Sequence, residues 1–168
     1  MKTFVTFLCF LWSAETFAQD FTIFSISEPE IGSFTTGDYT GDQYEDILAI
    51  DYTLNSEATI YLYTNKKEST IAFTEKKLFT KIPFSGGPAS GDLDGDGDVD
   101  VVYNNPLDKV LTALINDGNG NFTQMPLDIP EASGIIFIDF DKDGDNDMVG
   151  YSYPLKTLHI LIGKRNDH

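Results

Sequence analysis

The chain is poor in the residues from which catalytic sites and covalent staples are made. Among its 168 residues are one cysteine, one tryptophan and two histidines, and 11 lysines and arginines face 27 aspartates and glutamates. A single cysteine permits no internal disulfide, so packing and metal must hold the chain together. With a formal net charge of −16 there is no basic stripe of the kind nucleic acid requires. The densest basic stretch, Lys66, Lys67, Lys76, Lys77 and Lys81, is interleaved with Glu68 and Glu75 and reads as a solvated strand face. There is no G-x-S-x-G elbow, no phosphate loop and no cysteine nucleophile. His159 lies in an apolar run and reads as structural, and His168 is the last residue. The apolar stretch from Thr3 to Trp12 is too short to span a bilayer.

That stretch fits a secretory leader instead. Lys2 supplies the positive start, and Thr16-Phe-Ala18 offers a cleavage site before Gln19. The expectation is a signal peptide over 1–18 and a repeat region over 19–168, secreted, periplasmic or at the cell surface. Cys9 falls inside the leader, without the small residues before it that a lipoprotein signal would show. Export without disulfides suits a bacterial protein better than an animal ectodomain.

What the chain does have is acid, and it is concentrated. Residues 38–46, 92–100 and 139–147 together carry thirteen of the sixteen net negative charges. The second segment reads Asp92-Leu-Asp94-Gly-Asp96-Gly-Asp98-Val-Asp100, and the third reads Asp139-Phe-Asp141-Lys-Asp143-Gly-Asp145-Asn-Asp147. Both place carboxylates at relative positions 1, 3, 5, 7 and 9, with glycine at 6 and a short apolar run after. Like charges at that density repel unless a cation lies among them. Hard oxygen ligands at alternate positions around a glycine-permitted turn are what Ca²⁺ requires. The first segment is a worn copy. It keeps acids at positions 1, 5 and 9 (Asp38, Asp42, Asp46) but has Thr40 at 3 and Gln43 at 6. The leading aspartates are 54 and 47 residues apart, a period typical of propeller blades.

Four short apolar runs recur in each unit. One leads into the loop (32–37, 88–91, 134–138) and one leaves it (47–50, 101–103, 148–151). A third follows at 59–63, 110–115 and 157–162, and a fourth begins with Phe-Thr at 21, 73 and 122. Lengths of four to six, β-branched and aromatic content, and Gly, Pro and Asn punctuation favour strands. Pro106-Leu107 and Pro154-Leu155 mark matching turns between the second and third runs, and Asp117-Gly-Asn-Gly120 a tight turn between the third and fourth. The fold class is therefore all-β, with about three four-stranded antiparallel blades in a closed or partial propeller.

Gly91-Asp-Leu-Asp-Gly-Asp-Gly-Asp-Val-Asp-Val-Val102, followed by Leu114-Ile-Asn-Asp-Gly-Asn-Gly-Asn-Phe-Thr123, resembles the FG-GAP/VCBS repeat of integrin α-subunit propellers and of many secreted bacterial proteins. The resemblance covers residues 20–168 and is strongest in the second copy. It implies calcium between the first and second strands of a blade, held by side chains at positions 1, 3, 5 and 9 and the carbonyl at 7. Carried over, these are Asp92, Asp94, Asp96, Asp98 (carbonyl) and Asp100, then Asp139, Asp141, Asp143, Asp145 (carbonyl) and Asp147. In the first copy Asp38, Asp42 and Asp46 match and Tyr44 offers a carbonyl, while Thr40 is a poor substitute.

Two rivals fit less well. An EF-hand or dockerin loop needs an acid at position 12 and a helix after it, but the chain has Tyr103 and Gly150 there, each within a strand-like run. Ile135-Ile-Phe-Ile-Asp139-Phe-Asp141 looks like the nucleophile strand of a haloacid dehalogenase phosphatase, yet that chemistry would use the motif once. Asn121-Phe-Thr123 is a glycosylation sequon that coincides with the repeat itself.

The last unit ends at His168, where its fourth run would begin, while Phe21 to Ile26 is a spare run at the front. Either the chain is part of a longer propeller, which is the expectation, or three units stand alone. In the first case Phe21–Ile26 would be the ring-closing strand, and in the second the units must hide their edges by closing tightly or by association; if Phe21–Ile26 completes the last unit, it lies antiparallel beside Thr157–Ile162. The leading functional expectation is a non-enzymatic, calcium-binding module mediating adhesion to a surface protein or glycan. The alternative is the non-catalytic part of a larger secreted enzyme acting on polysaccharide, and a third is a spacer made rigid by metal.

Overall fold

A computed structural model describes residues 25–26, 31–53, 57–153 and 155–163. The expected leader, residues 21–24 of the spare run, Pro154 and the tail from Lys164 lie outside the described residues. Among the described residues there are eleven strands and no helix. The first sheet holds β1 (Ile31–Gly37), β2 (Asp46–Thr53), β3 (Glu57–Asn65) and β4 (Phe73–Pro83). The second holds β5 (Ser85–Gly91), β6 (Asp100–Asn105), β7 (Val110–Asn116) and β8 (Phe122–Pro130). The third holds β9 (Gly134–Ile138), β10 (Asp147–Ser152) and β11 (Thr157–Leu161).

Each sheet is an antiparallel meander in chain order, so every connection is short and local. Sheets follow one another through their first strands, with β1 against β5 and β5 against β9. The hydroxyls of Thr35 and Ser90 lie 2.8 Å apart across the first of these junctions, and Ser90 Oγ donates to the Thr36 carbonyl at 2.7 Å. This is the expected blade arrangement. The described sheets do not close into a ring, and the third has three strands.

Two cores lie between the sheets. Leu48, Ile50, Ile60 and Leu62 of the first sheet pack on Val101, Tyr103 and Leu114 of the second. Val102, Leu111 and Ala113 on the opposite face of the second sheet pack on Ile135 and Met148 of the third. A middle strand is thus buried on both faces, which is why Val101-Val102-Tyr103 is apolar without alternation. The outer strands β4 and β8 run far beyond their Phe-Thr starts, and most of their residues are exposed, so no buried pattern marks their length in the sequence. Their pairing is bent by register shifts opposite Ala58–Tyr61 and Val110–Thr112. Lys76, Lys77 and Lys81 are exposed on β4, as the charge pattern predicts.

The spare run does not behave as ring closure requires at its described end. Ser25 and Ile26 belong to no strand and line a cleft with Tyr63 of β3, Phe73 of β4 and Ile71 of the connection between them, rather than extending β11. The apolar wall there suits Ile26.

Leu114 is fully buried where the first two sheets meet. Leu114→Ala is expected to cost about 2–5 kcal/mol through lost burial and a residual cavity. Leu107→Ala, in an exposed turn, should stay within about 0.5 kcal/mol. Urea titration of the two variants checks the contrast.

Candidate metal centre

Each acidic segment is the loop from the first to the second strand of its sheet, and position 9 is the first residue of that second strand. The loops share a backbone. Positions 4 and 6 are left-handed in all three: Gly41 and Gln43, Gly95 and Gly97, Lys142 and Gly144. Gln43 therefore keeps the turn that glycine makes elsewhere, at a strain of about 1–2 kcal/mol. Position 1 organises the turn from within. Asp92 accepts from the Gly95 and Gly97 amides at 2.7 and 3.1 Å, and Asp38 accepts from those of Asp42 and Gln43 at 2.9 and 2.6 Å. Asp139 accepts from the Gly144 amide at 3.3 Å.

Folding brings three carboxylates together in each of the two later loops. One oxygen each from Asp92, Asp94 and Asp100 lies within 4.8 Å of the others, and so do oxygens of Asp139, Asp141 and Asp147. Two unit charges at such a separation repel by about 3 kcal/mol at an effective dielectric near 20. Burial pushes Asp100 up from 3.8 to about 6, against the two amides bonded to it and with help from Asp94 and Asp96. Asp94 is also raised, by desolvation and then by Asp96, and Asp141 by desolvation and by the Asp143 and Asp147 charges. The position-5 residues stand outside these triplets. Asp96 accepts from the Asp98 amide at 2.9 Å, and Asp143 from the Asp145 amide at 3.0 Å.

Position 9 has a second task that spacing did not reveal. Asp100 is fully buried, and its two oxygens accept from the Leu93 amide at 2.9 Å and the Asn116 amide at 2.8 Å. Asp147 does the same with Phe140 at 2.7 Å and Gly163 at 2.8 Å. Asp46 does so with Tyr39 at 3.2 Å and Asn65 at 2.8 Å. Each carboxylate joins position 2 of its loop to the residue at or just past the end of the third strand. Asn116 extends the link to the neighbouring unit, its side-chain amide donating to the carbonyls of Tyr39 and Val99 at 3.0 and 3.1 Å. Asn146 donates to the Asp92 carbonyl at 3.3 Å. Beside it, a small cleft between the second and third loops is walled by Asp92, Asp94, Gly144 and Asp145.

The first loop is built differently. Among the described residues, no triplet of carboxylates forms there. Thr40 donates its hydroxyl to Asp46 at 3.3 Å, and the Lys67 ammonium lies 2.8 Å from Asp42 and 5.5 Å from the Tyr44 ring centroid. Lys67 holds the Asp42 carboxyl below its ordinary value. Lys67 is thus no member of a merely solvated strand face. It brings a protein cation to the loop that lacks the position-3 acid, and only its distance from the motif hid it in the sequence.

Residues 38–103 and residues 92–150 each match the family described as FG-GAP-like repeat. No curated protein matches the chain.

The Asp100 shift has a definite sign. Its folded value of about 6 lies above the ordinary 3.8, so the folded state binds the extra proton. Its contribution to metal-free stability is fully present below the ordinary value and is lost as pH rises through about 6. Urea midpoints of the metal-free chain between about pH 4 and 7 should show that fall, and Asp100→Asn should flatten it.

Proposed function

This chain belongs to the FG-GAP-like repeat family, and from that premise we propose that it is an exported, calcium-stabilised repeat module without catalytic activity of its own. Its partner is a protein or glycan at the cell surface or in the envelope. The observation that carries the calcium reading is the pair of carboxylate triplets, each built on a loop with a left-handed glycine at position 6.

The donor set fits the ion. Every candidate side chain offers hard oxygen, and none offers sulfur or imidazole, which suits Ca²⁺ or Mg²⁺ rather than zinc or copper. Loop length and flexible carboxylates favour the larger ion. Asp92, Asp94, Asp96 and Asp100 would hold it with the Asp98 carbonyl, and Asp139, Asp141, Asp143 and Asp147 with the Asp145 carbonyl. The bound ion supplies positive charge where burial and mutual repulsion raise Asp100, Asp94 and Asp141. The chain's own residues do the rest. Position 1 shapes the turn, and position 9 fastens it to the sheet. Export is supported by Lys2, the apolar stretch after it and Thr16-Phe-Ala18.

Calorimetric titration with calcium should find two sites. At about 1 mM calcium and a dissociation constant of about 0.1 mM, each adds about 1.4 kcal/mol to stability. Melting should fall in chelator and recover with calcium. Asp94→Ala should leave one site, whereas Thr40→Ala should leave both. A melting transition indifferent to calcium and chelator would overturn the assignment.

A further inference from the structure

Lys67 stands at a position of the repeat that faces the acidic loop. Strand register identifies its counterpart in the second sheet. Asn65 and Asn116 each donate a backbone amide to the position-9 aspartate of their own loop, at 2.8 Å in both. The next residues, Lys66 and Asp117, close the turn by donating to the carbonyls of Ala72 and Asn121 at 2.9 and 3.1 Å. Lys67 therefore matches Gly118, and both are left-handed, with φ of 58° and 72°. A Cβ on Gly118 would run into the carboxylate of Asp98, at position 7 of the second loop. The Lys67 ammonium lies 5.5 Å from the ring centroid of Tyr44, at position 7 of the first loop, and meets Asp42 at 2.8 Å. One backbone position thus aims a side chain at the same part of both loops. Glycine leaves it empty where three carboxylates gather, and lysine fills it in the first loop.

The acids of the first loop are already engaged. The two oxygens of Asp38 accept from the Asp42 and Gln43 amides. Asp42 accepts from the Tyr44 amide at 3.0 Å with one oxygen and pairs with Lys67 through the other. Asp46 accepts from the Asn65 amide with one oxygen, and from the Tyr39 amide and the Thr40 hydroxyl with the other. The lysine is itself held in place, its backbone amide donating to the Asn65 side chain at 3.0 Å. A divalent ion entering this loop would meet a tethered charge of its own sign.

We infer that Lys67 is the resident cation of the first loop, and that it makes this blade independent of the metal proposed for the other two. Only the contrast with those loops rests on the calcium reading; the role of the ammonium within the first loop does not. Withdrawal of calcium then loosens the second and third loops and leaves the first in place. Gly118, by the same geometry, keeps the second loop open to an ion.

Hydrogen exchange of the full chain, read over residues 38–46 and 92–100 in calcium chloride and in chelator, tests this. In the wild type, exchange over 92–100 should quicken in chelator, while exchange over 38–46 should change far less. In chelator at low salt, where screening is weak, Lys67→Gln should speed exchange over 38–46 by up to about fivefold. Lys67→Arg should keep the wild-type rate. Glutamine suits the backbone there, since Gln43 already holds a φ of 70°. In calorimetry Gly118→Lys should weaken calcium binding more than Gly118→Gln, because only the first adds a charge. An unchanged rate over 38–46 in Lys67→Gln would overturn the inference, as would equal losses from Lys67→Gln and Lys67→Arg. So would calcium protecting 38–46 of the wild type as strongly as 92–100. Calcium that protects neither segment would overturn the calcium reading, and the two Lys67 variants compared in chelator would still decide the role of the lysine.

Discussion

A buried carboxylate at the ninth position of each acidic loop is the contact on which the rest of this structure depends. Asp46, Asp100 and Asp147 each spend their two oxygens on two backbone amides, one within the loop and one where the third strand ends. The bond is charge-assisted, and it fixes three segments of chain at one point. It also carries a cost, because an anion is held where water is scarce. Much of the loop can be understood as the answer to that cost. The left-handed residues at positions 4 and 6 fold the loop back over the carboxylate, and two further acids gather beside it in the later loops. In the first loop the same frame survives with a lysine ammonium nearby. One backbone design thus carries two electrostatic settings.

The same end of each sheet carries contacts between units. The Asp117–Asn121 turn illustrates why its glycines are needed. A Cβ on Gly120 would meet the Leu62 side chain and one on Gly118 would meet the Asp98 carboxylate, so the turn fits closely between the first two units only without side chains there. Lys76 from β4 donates to the Gly120 carbonyl at 3.0 Å and to the Asn121 side chain at 2.8 Å. With Asn116 and Asn146 these bonds tie each loop to its neighbour, while the apolar cores below supply most of the burial. Polar bonds set the alignment of successive blades, and hydrophobic packing holds them together. Metal proposed at the loops would therefore act on the whole array and not only on single turns.

Much of this was legible in the chain itself. The period of about fifty residues, the strand-length apolar runs and the alternating aspartates are local signals, and local signals were enough for the blades, their order and the loop positions of the acids. Asp92, Asp94, Asp100 and their counterparts from 139 to 147 could be grouped because a tight turn brings alternate residues within reach of one another. Strand lengths were less legible. β4 and β8 extend through Glu75, Lys76 and Lys77 or Gln124 and Met125, where solvent on an outer strand removes the pattern that marks a buried one.

Tertiary structure alone decided what depends on residues far apart. Nothing near Asp46 in sequence points to the Asn65 amide, and nothing near Asp42 points to Lys67, because strand pairing sets which residues from distant segments arrive together. The same holds for Asn116, whose partner Tyr39 belongs to another unit. It holds for the two faces of the sheets as well. Leu111 and Leu158 are the same residue at the same place in the repeat, and only the presence of a following sheet makes one core and the other surface. Sequence determined the unit, since turn chemistry and side-chain alternation act over a few residues. Packing between units determined the environment of each side chain, because burial is a property of neighbours.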